Sequence, residues 1–189
     1  MNLKQAKEYT LNLFSTTWVK WMHNGSKPAE TNSEKSANVL ISGLTKHCAI
    51  CLNLNGCFFL SDKRPKHPIH PNCHCYTVNI PPITATAECS IEKFTKYIFI
   101  NGNSKKQLFE SWGYSIIDSD FLQNEFVRQA KLSYSAGNYE LGKLDSHGQR
   151  INIKIRLKRK DKEGYATFQS GWMVYPNGKI ILTTPYGDK

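Results

Sequence analysis

Five of the six cysteines in this 189-residue chain, Cys48, Cys51, Cys57, Cys73 and Cys75, fall within 28 residues, and only Cys89 stands apart. Four histidines, His47, His67, His70 and His74, lie in that window or directly beside it. Such a cluster constrains the fold strongly, because bonds between its members close the loops that carry them. The amino terminus MNLKQAKEYTLNLF lacks an apolar core ahead of a small-residue cleavage site, so no secretory signal is read there. A metal site is therefore favoured over a disulfide framework. Cys48-Ala-Ile-Cys51 is a CxxC knuckle, and His70-Pro-Asn-Cys73-His-Cys75 follows roughly twenty residues later. Zinc accepts four ligands from thiolate and imidazole, at about 2.3 and 2.0–2.1 Å. The expectation is one structural zinc on Cys48, Cys51, Cys73 and one of Cys75 or His70, with Cys57 and Cys89 spare. Buried reduced thiols or an oxidised pair are the alternative.

Around the cluster, hydrophobic periodicity divides the chain. Leu3, Ala6, Tyr9, Leu13 and Thr17, widened by Phe14, Trp18 and Trp21, predict one amino-terminal helix over 2–23, stopped at Asn24-Gly25. Residues 26–37 read as polar linker, and Tyr76–Ile80 as a short strand closed by Pro81-Pro82. Ile83–Ser90 reads as a second linker, giving two domains, 1–82 and 90–189, of which the second is expected to fold alone. In that second part Asn103 or Ser104 caps a helix over Lys105–Trp112, and Asp118 or Ser119 caps a longer one to about Leu132. After Gly137 the period falls to two. Ile151, Ile153, Ile155 and Leu157 alternate with Arg150, Asn152, Lys154, Arg156 and Lys158 in the clearest strand of the chain. Asp145-Ser-His-Gly148, Asp161-Lys-Glu-Gly164 and Pro176-Asn-Gly178 are turns between strands. The fold class expected is α+β: a small cysteine/histidine-rich module with an N-terminal helix, then two helices packed on a four-stranded antiparallel meander sheet.

Charge points to a partner. The chain carries 25 basic and 15 acidic residues, a net of +10, and Lys143–Lys162 alone holds eight basic and two acidic ones. A stripe of this kind favours a polyanion, since displaced counterions drive binding. A membrane surface calls for an amphipathic basic helix, which the stripe is not, and no apolar run approaches the roughly 20 residues of a spanning helix. RNA, or DNA during packaging, is the partner expected; a solvated basic face is the alternative. With no tight carboxylate cluster in view, the parts present suit metal-independent RNA cleavage through the 2′-hydroxyl. His147 in the hairpin turn would serve as base or acid, although most such histidines are merely exposed. Lys154 with Arg150 or Arg156 would hold the phosphate, Thr183 or Thr184 would position it, and Trp172 or Tyr186 would stack on a base.

Two resemblances extend this reading. The segment CAICLNLNGCFFLSDKRPKHPIHPNCHC resembles the carboxy-terminal motif of phage Mu-type head morphogenesis (minor head) proteins, which runs CxxC, a glycine, then a proline-rich stretch ending HPxCxC. Cys48, Cys51, Gly56, His70, Pro71, Cys73 and Cys75 match; His74 stands where that family usually has arginine, and the family's long upstream helical part is missing. Residues 97–189, with GNYELGKLDSHGQR and SGWMVYPNGKIILTTPY, are similar to domains of the barnase–EndoU–colicin–RelE nuclease superfamily. That likeness implies an RNase whose active face is the open side of the sheet, with a catalytic set that differs between branches. Together they imply a prophage-associated, head-morphogenesis-like protein carrying a toxin-like endoribonuclease, in the bacterial cytoplasm or the virion, with phage head proteins or an immunity protein as further partners. The rival expectation is a non-catalytic nucleic-acid-binding or structural component of head assembly.

Overall fold

The computed structural model describes residues 17–23, 48–71 and 73–187. Residues 2–16 of the helix expected over 2–23, its Asn24-Gly25 stop, the linker at 26–37 and His47 lie outside the described residues. What is described is a mixed α/β architecture with a three-stranded and a five-stranded sheet.

The carboxy-terminal end of the expected first helix is a strand instead. β1 (Trp18–His23) is the middle strand of the smaller sheet, antiparallel to both β2 (Phe58–Leu60) and β3 (Cys75–Ile80). The run Trp-Val-Lys-Trp-Met-His is rich in aromatic and β-branched side chains, which suit a pleated, half-buried surface. Two flanking strands also satisfy its backbone groups, an outcome that helical spacing counted from Leu3 could not foresee. α1 (Cys48–Leu54) lies between β1 and β2 in sequence and carries both cysteines of the CxxC knuckle.

The larger sheet is built mainly as the alternation predicts. β5 (Glu140–Asp145), β6 (Gly148–Lys158), β7 (Tyr165–Tyr175) and β8 (Lys179–Gly187) form an antiparallel meander. The sheet has five strands rather than four, because β4 (Thr86–Glu88) adds to β8 in parallel, inside the stretch expected as a linker. Three residues are too few to show a period, and the partner is distant in sequence. A Lys179–Glu88 ion pair of 2.7 Å fixes this edge. α2 (Ser104–Glu110) begins where expected, with the Asn103 side chain accepting from the Lys105 N–H. α3 (Ser119–Ser135) buries Leu122, Phe126, Ala130 and Tyr134, four apart along one stripe, against Ile151, Ile153, Ile155 and Leu157 of β6.

The two sheets share one core. The Tyr134 hydroxyl donates to the Phe58 carbonyl, and the Tyr139 hydroxyl accepts from the Leu60 N–H at 2.8 Å while donating to the Lys63 carbonyl at 3.0 Å. Trp18 meets the Tyr134 ring edge-on at 5.6 Å. The chain leaves α3 at Gly137, whose φ is +72°, with the Asn138 N–H reaching back to the Ser133 carbonyl. A Cβ on Gly137 would stand 2.2 Å from Leu60 Cδ1. Gly137→Ala therefore combines left-handed strain with overpacking, and is expected to lower stability by about 2–5 kcal/mol. Urea denaturation would measure it; a change below about 1 kcal/mol would mean that Leu60 moves aside freely.

Candidate metal centre and nucleic-acid face

The Cys/His centre forms where α1, the proline-rich loop 65–71 and the β1–β3 pair meet. Cys51 lies on α1, Cys75 opens β3, and His23 ends β1 directly opposite Cys75 in register. His70 and Cys73 come from the loop between. Two overlapping trios have ligand atoms within 4.8 Å of one another: Cys51, His70 and Cys73, and His23, Cys51 and Cys75. Cys51 belongs to both. Its Sγ is 3.9 Å from Cys73 Sγ, close to the roughly 3.8 Å edge of a tetrahedron of 2.3 Å zinc–sulfur bonds. The Cys51 Sγ to His70 Nε2 distance, 3.1 Å, is a hydrogen-bond distance and a few tenths shorter than a shared ion would set.

Electrostatics favours a cation here. Burial pushes the Cys51 thiol well above its ordinary value, and Cys75 and Cys73 add to the shift. Burial opposes a Cys73 thiolate too, but amide hydrogen bonds from Cys75 and Ile69, with thiol hydrogen bonds from Cys75 and Cys51, outweigh it and lower that thiol. Cys75 is raised, chiefly by burial, with the Trp21 indole acting against it. Burial and mutual crowding of the three sulfurs thus oppose charging more than one of them unless a positive ion offsets it.

Of the ligands expected from the spacing, the structure brings together Cys51, His70, Cys73 and Cys75. Cys48 opens α1, and its side chain lies outside the described residues. His23 was not anticipated: it lies 25 residues before the knuckle, and only the β1–β3 register reveals it. Cys51, Cys57, Cys73, Cys75 and Cys89 are free thiols. Cys57 and Cys89 stand apart from the centre, each pushed up to about 12 by burial. His67 does structural work, with Nε2 2.7 Å from the Cys75 carbonyl oxygen and its ring against Trp21.

The second candidate is the face of the larger sheet turned away from α3. Arg150, Asn152, Lys154, Arg156 and Lys158 alternate there along β6, opposite Met173, Gly171, Gln169, Thr167 and Tyr165 of β7. Lys154, Arg156 and Lys158 are exposed and without a carboxylate partner among the described residues. Arg150 is partly compensated by Asp145 at 3.7 Å, which also faces Lys143 at 3.6 Å. The His147 N–H donates to Asp145 Oδ1 at 2.9 Å, the largest influence lowering that carboxyl, with Arg150 and Lys143 adding to it.

The residues expected to form one catalytic set are spread along this face. His147 is exposed in the β5–β6 turn, which Asn53 of α1 anchors through the Ser146 carbonyl at 2.7 Å. From His147 to Lys154 is seven residues of turn and strand, roughly 20 Å at strand rise, so the two cannot meet on one phosphate. Thr184 pairs with Gly171, which pairs with Asn152, so the threonines lie two strands from the cation row. The Thr183 hydroxyl is engaged by the Gly171 carbonyl at 2.8 Å. Trp172 is fully buried on the core face, its indole donating to Ser170 Oγ at 2.8 Å, and Tyr186 packs against Phe168 at 5.5 Å. Trp172 thus offers no ring face to a base, while Tyr186 is half-buried against Phe168 and Trp112. The alternation itself carried this signal: Trp172 is an even position of β7, in step with buried Phe168 and Ser170.

Comparison with known protein families, with curated proteins and with solved structures finds no match in any of the three.

Proposed function

We propose that this protein binds a nucleic-acid backbone across the open face of the five-stranded sheet, and that the Cys/His centre is a structural zinc site that orders the adjoining module. The observation that carries the first half is the row of Lys154, Arg156 and Lys158, exposed on one pleated face with no carboxylate partner among the described residues. Alternate positions on a strand stand roughly 7 Å apart, so the three cations form a line rather than a point. Such a line suits a polyanion, and its mutual repulsion is relieved when phosphates displace their counterions. For the zinc site, support comes from two donor trios that share Cys51 and from the 3.9 Å spacing of Cys51 and Cys73. The prophage setting rests on the likeness of Cys48–Cys75 to the head morphogenesis motif.

Fluorescence anisotropy against labelled RNA at several salt concentrations tests the binding half. The wild-type chain is expected to bind with a steep negative salt slope. Replacing Lys154 and Lys158 together by glutamine should flatten that slope by roughly 1.5 units, close to one released counterion per lost cation. No binding at low salt, or an unchanged slope, would remove this reading.

A second reading, endoribonuclease activity, is favoured by one observation: the exposed imidazole of His147 stands in the same turn as Asp145, beside Arg150 and Lys143. Cleavage there would leave 2′,3′-cyclic phosphate ends and would spare a 2′-deoxy substrate. His147→Ala should cost roughly 10²–10⁴ in rate, the scale of a lost general acid or base. Lys154, too distant to touch the same phosphate, should affect binding alone. Equal cleavage of DNA, or an unaffected His147→Ala variant, would rule the nuclease out.

A further inference from the structure

Two adjoining hollows, of about 380 and 590 Å³, lie where α3 leans over β6, and Phe121 and Lys158 line both. Their origin is a mismatch of strand lengths. β5 pairs with β6 only as far as Asn152, so among the described residues the rest of that edge of β6 has no strand beside it. Gln129 of α3 spans the gap, accepting from the Arg156 N–H at 2.9 Å and donating to its carbonyl at 2.7 Å. Helix and strand edge thus stand apart around an open groove.

The groove presents flat aromatic surface among cations. Phe121 is 53% exposed, and its ring is stacked nearly parallel to that of buried Tyr114 at 6.0 Å and 12°. Tyr165 is also 53% exposed, with the Arg156 guanidinium 3.8 Å from its ring centre. The groove's carboxylates are already engaged: Asp118 with Lys160 at 2.8 Å, and Glu125 with Arg128 at 2.6 Å. Arg156 and Lys158 have no carboxylate partner among the described residues, and they continue the cation line of the open face.

We infer that this groove is a base-stacking site for single-stranded nucleic acid, with Phe121 and Tyr165 receiving bases while Arg156 and Lys158 hold the backbone. The inference rests on the nucleic-acid reading above and narrows it from polyanion to unpaired strand. A duplex hides its base faces, so aromatic platforms add affinity only where bases are free to leave their neighbours. An apolar protein partner would leave the cations unpaired, and a polyanion without aromatic bases would leave the exposed rings uncovered.

The test uses the full chain and a labelled 2′-O-methyl oligouridylate, which a 2′-hydroxyl-dependent nuclease cannot cut, beside a duplex of equal length. Single-strand affinity is expected to fall roughly 5- to 100-fold in Phe121→Ala, the range of one lost stacking contact, with the salt slope and duplex binding unchanged. Phe121→Trp should keep the affinity. Phe121→Leu, which retains apolar bulk but no flat face, should lose it and guards against a folding defect. Wild-type binding unaffected by these variants would overturn the stacking site and leave the charged face standing. A shift in self-association in place of RNA affinity would overturn it in favour of a protein contact. No nucleic-acid binding by the wild type would remove the reading beneath it.

Discussion

Cys51→Ser is expected to strip the chain of its metal and to lower its melting temperature by about 10 °C or more. Cys51 is the one residue common to both donor trios, so its loss leaves neither with three ligands. The free energy at stake is large. Structural zinc contributes roughly 10–16 kcal/mol in isolated fingers, and even about 4 kcal/mol of it moves the melting point of a chain this size by 8–16 °C. The module has little else to order its loop: of the stretch from Lys66 to Cys73, no described residue is buried. Cys57→Ser is the matched control. Its thiol is also fully buried, but it faces the Asn53 and Val174 carbonyls rather than the centre. Metal analysis of protein purified without chelator, with calorimetry on the same samples, checks both parts. About one zinc per wild-type chain and per Cys57→Ser chain, with almost none in Cys51→Ser, is the expected result. Less than about half an equivalent in the wild type, or full loading of Cys51→Ser, would dismiss the zinc site.

The same two donor trios show what the sequence could reveal of this site and what it could not. Local spacing exposes Cys51, Cys73 and Cys75, because ligands of one ion recur at short intervals. His23 is invisible to it, since its place opposite Cys75 depends on a strand register between distant segments. That register was obscured because Trp18 and Trp21 also fit a helical stripe, and tertiary pairing overrides a weak periodic preference. The meander, by contrast, was legible: eleven residues of strict alternation in β6 leave few other structures open. β4 was not legible, being three residues paired with a strand about ninety positions later. The exposed aromatic residues of the groove, Phe121 and Tyr165, are hidden from the sequence for a related reason. Aromatic side chains were assigned by residue type and position near a strand end, whereas exposure decides which can stack. Strand parity puts Trp172 in the core, while Phe121, an ordinary helix residue in sequence, faces outward.

A fragment of residues 90–189 is expected not to reach a cooperative native state, although it holds the complete meander and both of its helices. Sequence periodicity favours its independence, because the apolar stripe of α3 and that of β6 complement each other within it. Packing opposes it. Tyr134 and Tyr139 take ring and hydrogen-bond partners from outside the fragment: the Trp18 ring, the Phe58 and Lys63 carbonyls and the Leu60 N–H. Removing those partners exposes two large aromatic side chains and leaves their hydroxyls without protein acceptors. At about 1.5–3 kcal/mol for each uncovered side chain, and about 1 kcal/mol for each lost hydrogen bond, the deficit is on the order of 5 kcal/mol or more. β8 loses its β4 neighbour as well, and with it Glu88, the partner of Lys179, while Ser135 loses the Ala85 N–H at 2.8 Å. Net stability of a domain is about 5–15 kcal/mol, so this deficit can consume it entirely. Calorimetry and near-ultraviolet circular dichroism should therefore show a single sharp transition for the full chain, and for the fragment either no transition or one lowered by tens of degrees. Limited proteolysis should likewise spare 83–90, where Ala85 is fully buried and β4 is paired. A fragment that melts sharply near the full-length temperature would show that the two sheets are stable apart, and that the tyrosine contacts between them are incidental.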